Sequence, residues 1–384
     1  MRSSSPIAAD GPDDEGMRRA RSGYPVTRPR SAAPHIPSLD GFRAVSFMIV
    51  FLAHAGVGGV PGGFGVTVFF FLSGFLITTL MRLERQTSGT VNLRHFYLRR
   101  ALRILPPFYL ILLFAAGLTT AGILPGALRF EAMLAQSLHI SNYWFIFRGG
   151  DGTPAGTVPY WSLAVEEHFY ILFPLLYLTL SRVLSAQAHA RVIWGLCAVI
   201  CVWRCALVLG VGVPEDRTYM ASDTRFDSIF FGCALAIGAN PLLDRLPLGE
   251  QVWKWVMLPA ALILLIVTFE YRAPWFRETI RYTLQGIALT PVFITAVRFP
   301  TWLPYRFMNL RPVAFVGVLS YVLYLVHQVV LYGLAYQLPW IGGIARGFLA
   351  LAGSILLAVA VHFLVEKPAA RIRKRLAQRA VAVA

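Results

Sequence analysis

The sequence predicts an all-α fold, a polytopic integral membrane helical bundle of about ten transmembrane helices with both termini cytosolic, and three observations carry that expectation. Of 384 residues, 57% are hydrophobic and only 14% charged, and the mean hydropathy is +0.60, outside the range of soluble globular chains. The apolar residues fall into runs of about 20, the length that crosses a bilayer as a helix. The 35 lysines and arginines, which set a net charge of +16, gather in short segments between those runs. That distribution favours positive-inside anchoring over nucleic-acid binding, which would collect them on one face of a polar domain.

Along the chain, residues 1–36 are rich in Pro, Gly, Ser and Arg and lack the apolar core of a signal peptide, so a disordered basic cytosolic tail is expected. Candidate spans follow at 40–58, 64–82, 103–123, 162–180, 191–212, 225–239, 253–270, 282–298, 313–335 and 343–365, the sixth being short for a span. They make up a transmembrane domain over 37–368, and a basic cytosolic tail over 369–384 closes the chain. With the N-terminus inside, the outer loops 124–161, 213–224 and 271–281 carry only Arg129, Arg148, Arg217, Arg272, Arg277 and Arg281, a strong bias in one direction. An even number of spans with both ends cytosolic fits that bias. No internal repeat is visible, which counts against transporters built from duplicated halves. The longest outer loop holds NYWFIFRGG, an aromatic segment suited to the membrane interface. Cys197, Cys201, Cys205 and Cys233 all lie in apolar runs, the first three at i, i+4 and i+8. With no histidine beside them they read as reduced packing residues, and no metal site is expected.

Ionisable groups inside apolar runs mark candidate function. In LDGFRAVSFMIVFLAHAG, Arg43 and His54 are eleven residues apart, which on a helix is about 20° past three full turns and a rise of roughly 16 Å, so both leave one face. Alone, Arg43 reads as a snorkelling arginine and His54 as a histidine bonded to a carbonyl; together they point to a shared buried cavity. PYWSLAVEEHFY places Glu166, Glu167 and His168 about one turn inside the fourth span, at a depth similar to His54. Adjacent carboxylates point about 100° apart, so at most one is expected to share a narrow cavity with that histidine, where Glu166 would orient the imidazole. ASDTRFDSIFFG crowds Asp223, Arg225 and Asp227 at the start of the sixth span, readable as a helix-closing ion pair or as a substrate contact. Arg204 and His327 lie within spans and read as polar struts between helices. On the cytosolic side, RHFYLRRALRILPPFY sets Arg99, Arg100 and Arg103 as a compact basic clamp, suited to phosphate or simply to anionic lipid.

Several separated motifs, LDGFRAVSFMIVFLAHA, GGFGVTVFFFLSGFLIT, FYLRRALRILPPFY, WSLAVEEHFYILFPLL, TRFDSIFFGCALA, LSYVLYLVHQ and VEKPAARI, occur in an order and spacing that resembles the membrane-bound acyltransferase-3 family, the bacterial O-acyltransferases of O-antigen, exopolysaccharide, Nod factor and macrolides. The resemblance runs from about 37 to 376 and implies a multi-pass protein of the bacterial cytoplasmic (inner) membrane. It also implies transfer of an acyl group, commonly acetyl, from cytosolic acyl-CoA to a hydroxyl of a cell-surface or secreted glycan or another acceptor. Acyl-CoA is then a donor substrate, and no permanently bound cofactor is expected. By the same resemblance Arg43 and His54 match the family's essential pair, and Arg99, Arg100 and Arg103 its CoA-side contact. The chain departs at Thr67, where many members carry an acidic or amide residue. Some members add an extracytoplasmic hydrolase-like domain; here the sequence stops soon after the tenth span, so such a partner is expected as a separate protein.

Chemically, a hydroxyl with a pKa of about 15 attacks a thioester slowly unless a base takes its proton, and His54 is the candidate base. Arg43 is assigned to the donor, with Asp223, Arg225 and His327 on the acceptor side. Two rivals stay open: the same chemistry on a cytosolic small-molecule acceptor such as a macrolide, and a non-catalytic glycan or lipid exporter.

Overall fold

The computed structural model describes residues 36 and 38–382; the expected tail over 1–36 lies outside these except for Ile36. Every regular element among the described residues is helical. In chain order they are α1 (Leu39–His54), α2 (Gly62–Ser88), α3 (Leu93–Thr120), α4 (Phe130–Ser137), α5 (Ser141–Arg148), α6 (Tyr160–Val183), α7 (Ala186–Cys205), α8 (Glu215–Met220) and α9 (Ser222–Gly238). They continue as α10 (Glu250–Glu270), α11 (Pro274–Glu278), α12 (Arg281–Arg298), α13 (Leu303–Asn309), α14 (Arg311–Gln337), α15 (Gly343–Val361) and α16 (Lys367–Ala382). Three π-helical stretches extend, interrupt or link them: Ala206–Val211 prolongs α7, Trp253–Met257 lies within α10, and His362–Glu366 joins α15 to α16.

Seven helices, α2, α3, α6, α7, α10, α14 and α15 with their continuations, are long and apolar enough to cross a membrane. The α12–α13 pair reaches that length only as a unit bent by 83°. Pro300 stands at the bend, where its ring forces the preceding residue out of helical geometry. The expected first and sixth spans correspond to α1 and α9, with 16 and 17 residues.

Local chemistry sets the ends. The Asn92 side chain accepts the His95 N–H at 3.0 Å to start α3, and Ser185 does the same for Ala188 at 3.3 Å to start α7, each satisfying a donor that the first turn leaves free. Gly89 closes α2 in the left-handed region (φ 76°), where a side chain would be strained.

Burial separates inner from outer helices. In α2, 72% of the apolar window is buried, whereas in α7 and α15 the share is 22%. The outer helices present large apolar side chains outward, among them Leu113, Val202, Ile263, Phe348 and Leu356, a surface suited to lipid and not to water. The inner layer is close-packed through small residues. Gly74 of α2 and Gly232 of α9 lie against each other's backbones with no room for a Cβ, and Gly317 of α14 meets the Asp40 carbonyl of α1 in the same way, which is how membrane helices approach closely. These contacts fix α1, α2, α9 and α14 around the polar groups described next.

Candidate active site

A cavity of about 900 Å³ runs between α1, α2, α3, α6 and α14. One end is charged: Arg43 from α1, Arg100 and Arg103 from α3, Glu166 and Glu167 from α6, and Glu366 from the π-helical turn all line it. Arg43 Nη1 donates to Asp40 at 2.6 Å, and the Arg100 guanidinium stands 5.1 Å over the Tyr170 ring. Glu166 accepts the Ser73 hydroxyl at 2.6 Å, and Tyr170 donates in turn to Ser73 at 3.3 Å. Phe69, Phe70, Ser162 and Tyr324 also line the cavity, with the Ser162 and Tyr324 hydroxyls 2.7 Å apart.

One helical turn beyond Tyr324 on α14 lies His327, fully buried. Its Nδ1 is 2.9 Å from the Tyr324 carbonyl and 3.2 Å from that of Leu323, and its Nε2 is 2.8 Å from His54 Nδ1. The two rings are nearly parallel, with centroids 5.1 Å apart. Carbonyls only accept, so Nδ1 of His327 carries the proton, and a neutral His327 offers a lone pair at Nε2. His54 Nδ1–H then donates to it, which leaves the lone pair of His54 on Nε2. His54 is exposed at the C-terminal end of α1, so that lone pair is available to a substrate. The His327 ring thereby fixes the tautomer of His54 through this hydrogen bond.

The structure distributes the candidate residues unevenly. It brings Arg43, Arg100, Arg103 and Glu166 into one cavity and sets His54 on His327, outside that lining and one helical turn along α14 from Tyr324. The imidazole's partner is therefore His327 and not Glu166. Glu167 lines the same cavity as Glu166, because the space is wide enough to take both directions. Arg99 does not line it; its guanidinium pairs with Glu84 at 2.7 Å. Asp223 is held by Arg217 at 2.6 Å and accepts the Trp203 indole N–H at 2.7 Å, away from the cavity. Asp227 pairs with Arg204, so among the described residues neither aspartate closes an ion pair with Arg225.

Arg225 is fully buried. Its Nη2 donates to Thr67 Oγ1 at 3.1 Å, while Nε and Nη1 have no hydrogen-bond acceptor. Aromatic rings surround it, Tyr282 at 4.0 Å and Phe70, Tyr219 and Trp161 at 5.5 to 5.8 Å. Thr67 is thus, among the described residues, the single side-chain hydrogen-bond acceptor of this cation. Sequence reasoning missed Ser73, Tyr170, Tyr324 and Glu366, because nothing local marks a single polar or aromatic residue in an apolar run as lining a cavity.

A bundle of apolar helices thus encloses arginines, carboxylates and a histidine pair. The chain matches the family model described as an acyltransferase domain over residues 36–363; it belongs to the acyltransferase-3 family and is a multi-pass membrane protein. It is 29% identical over 316 residues to the peptidoglycan O-acetyltransferase OatA of Listeria monocytogenes, covering 78% of this chain and 50% of that one. A putative O-acetyltransferase of Staphylococcus aureus is 31% identical over 315 residues, covering 77% and 51%. The putative peptidoglycan O-acetyltransferase YrhL of Bacillus subtilis is 28% identical over 313 residues, covering 77% and 49%. The chain spans about half the length of the curated relatives it matches. No solved structure matches it.

Proposed function

We propose that the protein transfers an acyl group, acetyl in the first instance, from acyl-CoA to a hydroxyl of a glycan at the cell surface. The observation that supports this reading is the His54–His327 pair, one helical turn along α14 from Tyr324, which lines the same cavity as Arg43, Arg100 and Arg103. The similarity to peptidoglycan O-acetyltransferases supports a glycan acceptor and an acetyl group.

In this mechanism the arginine end receives the phosphates and pantetheine of the donor, since guanidinium forks match phosphate geometry. His54 Nε2 takes the proton of the acceptor hydroxyl as the oxygen bonds to the thioester carbon. His327 accepts from His54 Nδ1 and stabilises the imidazolium that forms. Collapse of the tetrahedral adduct breaks the carbon–sulfur bond, and the departing thiolate takes the proton back from His54. The products are the O-acyl glycan and CoA thiol, and the imidazole returns to its starting state. The arginine end faces the cytosol under the positive-inside assignment, so donor and acceptor approach from opposite sides.

The test is radiolabel transfer from acetyl-CoA into membrane and surface glycans by the intact protein and by His54→Ala at matched expression. Loss of about 10²- to 10⁴-fold is expected for removal of a general base; undiminished transfer by the variant would sink the assignment.

A further inference from the structure

A second cavity, of about 970 Å³, lies at the His54 end of the bundle. Its rim includes Gly59–Gly63, the loop that follows His54, and Gly62 packs directly against Ala53 of α1. Its walls come from α8, from the end of α10 and from α11–α12.

Three arginines line it, Arg272, Arg277 and Arg281, against a single lining carboxylate, Glu215. Their ion pairs are slack. Arg277 is 3.8 Å from Glu215 and Arg281 is 4.0 Å from Glu278, whereas the Arg82, Arg99 and Arg204 pairs close at 2.5 to 2.7 Å. Arg281 Nε is buried with no acceptor. Glu278 is a weak counter-ion: burial raises its pKa above the usual carboxylate range, and its Oε2 is taken by the Thr218 hydroxyl at 2.8 Å.

The floor of the cavity adds an independent observation. Tyr219 and Tyr282 line it, and behind their rings sits the guanidinium of Arg225, fully buried with Nε and Nη1 unmatched. A buried cation without a counter-ion is costly. Here the protein offers it aromatic faces and one threonine hydroxyl. Tyrosine and phenylalanine rings on the walls, including Phe64 and Phe269, are flat apolar platforms of the kind on which sugar rings rest.

We infer that this second cavity binds the acceptor through a carboxylate, so that the preferred acceptor is an acidic saccharide. This rests on the proposed transfer to a glycan hydroxyl. The carboxylate would complete Arg277 and Arg281 and lower the cost of the buried Arg225 charge, while the sugar rings cover the tyrosines and the reacting hydroxyl reaches toward His54.

The experiment measures binding, without acyl-CoA, of tetragalacturonate and of its neutral methyl ester to the full chain in phosphatidylcholine nanodiscs. The acid should bind at least about tenfold more tightly, roughly one charge-assisted contact, with the gap shrinking as salt is raised. Arg277→Ala should remove about tenfold of the acid's affinity and spare the ester. Thr67→Glu, which gives Arg225 an internal carboxylate, should also weaken the acid selectively. Equal binding of acid and ester, or acid binding that neither substitution alters, overturns the inference. So does loss of acid binding when phosphatidylglycerol replaces phosphatidylcholine, which would assign the cavity to a lipid phosphate. Acid preference without acetyl transfer would instead count against the proposed reaction and leave the cavity's ligand standing.

Discussion

Arg204 on α7 and Arg225 on α9 are both fully buried, yet their surroundings differ in kind. Arg204 is saturated: it donates to the carbonyls of Thr279 and Thr224, to Thr283 and to Asp227 at 2.6 to 3.0 Å. Arg225 has one threonine and four aromatic rings. The first is closed on the protein and ties α7, α9 and α12 together. The second is left open, as is the Nε2 of His54. In a low-dielectric interior an unmatched polar group is costly, so the contrast separates a strut from a cation whose cost the fold leaves unmet.

The largest effects set an open group against a closed one. His54→Ala should abolish transfer by about 10²- to 10⁴-fold while the thermal midpoint in detergent stays near that of the parent protein. Arg204→Ala should instead destabilise the fold by about 3–5 kcal/mol, because it strands Asp227, and the midpoint should fall accordingly. The double change Arg204→Met with Asp227→Leu should recover most of that loss. Arg225→Met is expected to shift the midpoint much less than Arg204→Ala; an equal fall would erase the distinction. His327→Gln should slow transfer by about tenfold to a hundredfold, the worth of a hydrogen bond to the imidazolium, with little change in KM for acetyl-CoA. The smallest effect separates two neighbours: Arg100→Ala should raise that KM about tenfold, whereas Arg99→Ala, which loses only a partly exposed pair with Glu84, should change it by less than about threefold.

Much of the fold was legible because a bilayer imposes length and apolarity on each helix, and those are local properties of a chain. The α12–α13 bend was less so: the apolar run over 282–298 ends just before Pro300, and the sequence alone does not say which way the chain turns. Within the site, Arg43 and His54 were readable because one helix fixes their relation. The partner of His54 was not, since His327 is 273 residues away and the pairing depends on how α1 meets α14 at Gly317. The Asp223, Arg225 and Asp227 cluster misled for a related reason. Adjacent charges suggest pairing with each other, but Arg217 and Arg204, arriving from other elements, take the two aspartates.

The π-helical turn at His362–Glu366 has a consequence for evolution of the arginine-lined cavity. A π-turn is in effect one residue inserted into an α-helix, and the wider loop here is braced by His362 Nδ1 against Glu366 at 2.7 Å. Because the wider turn absorbs the extra residue, deleting it would return the stretch to ordinary α-helix with the downstream direction nearly kept. The basic α16 would still meet α3, against which it packs, while Glu366, which lines the cavity from within the bulge, would lose the position the wide turn gives it. In terms of the proposed reaction, a single-codon change there would retune one end of the cavity locally and leave the positively charged helix beyond it in place.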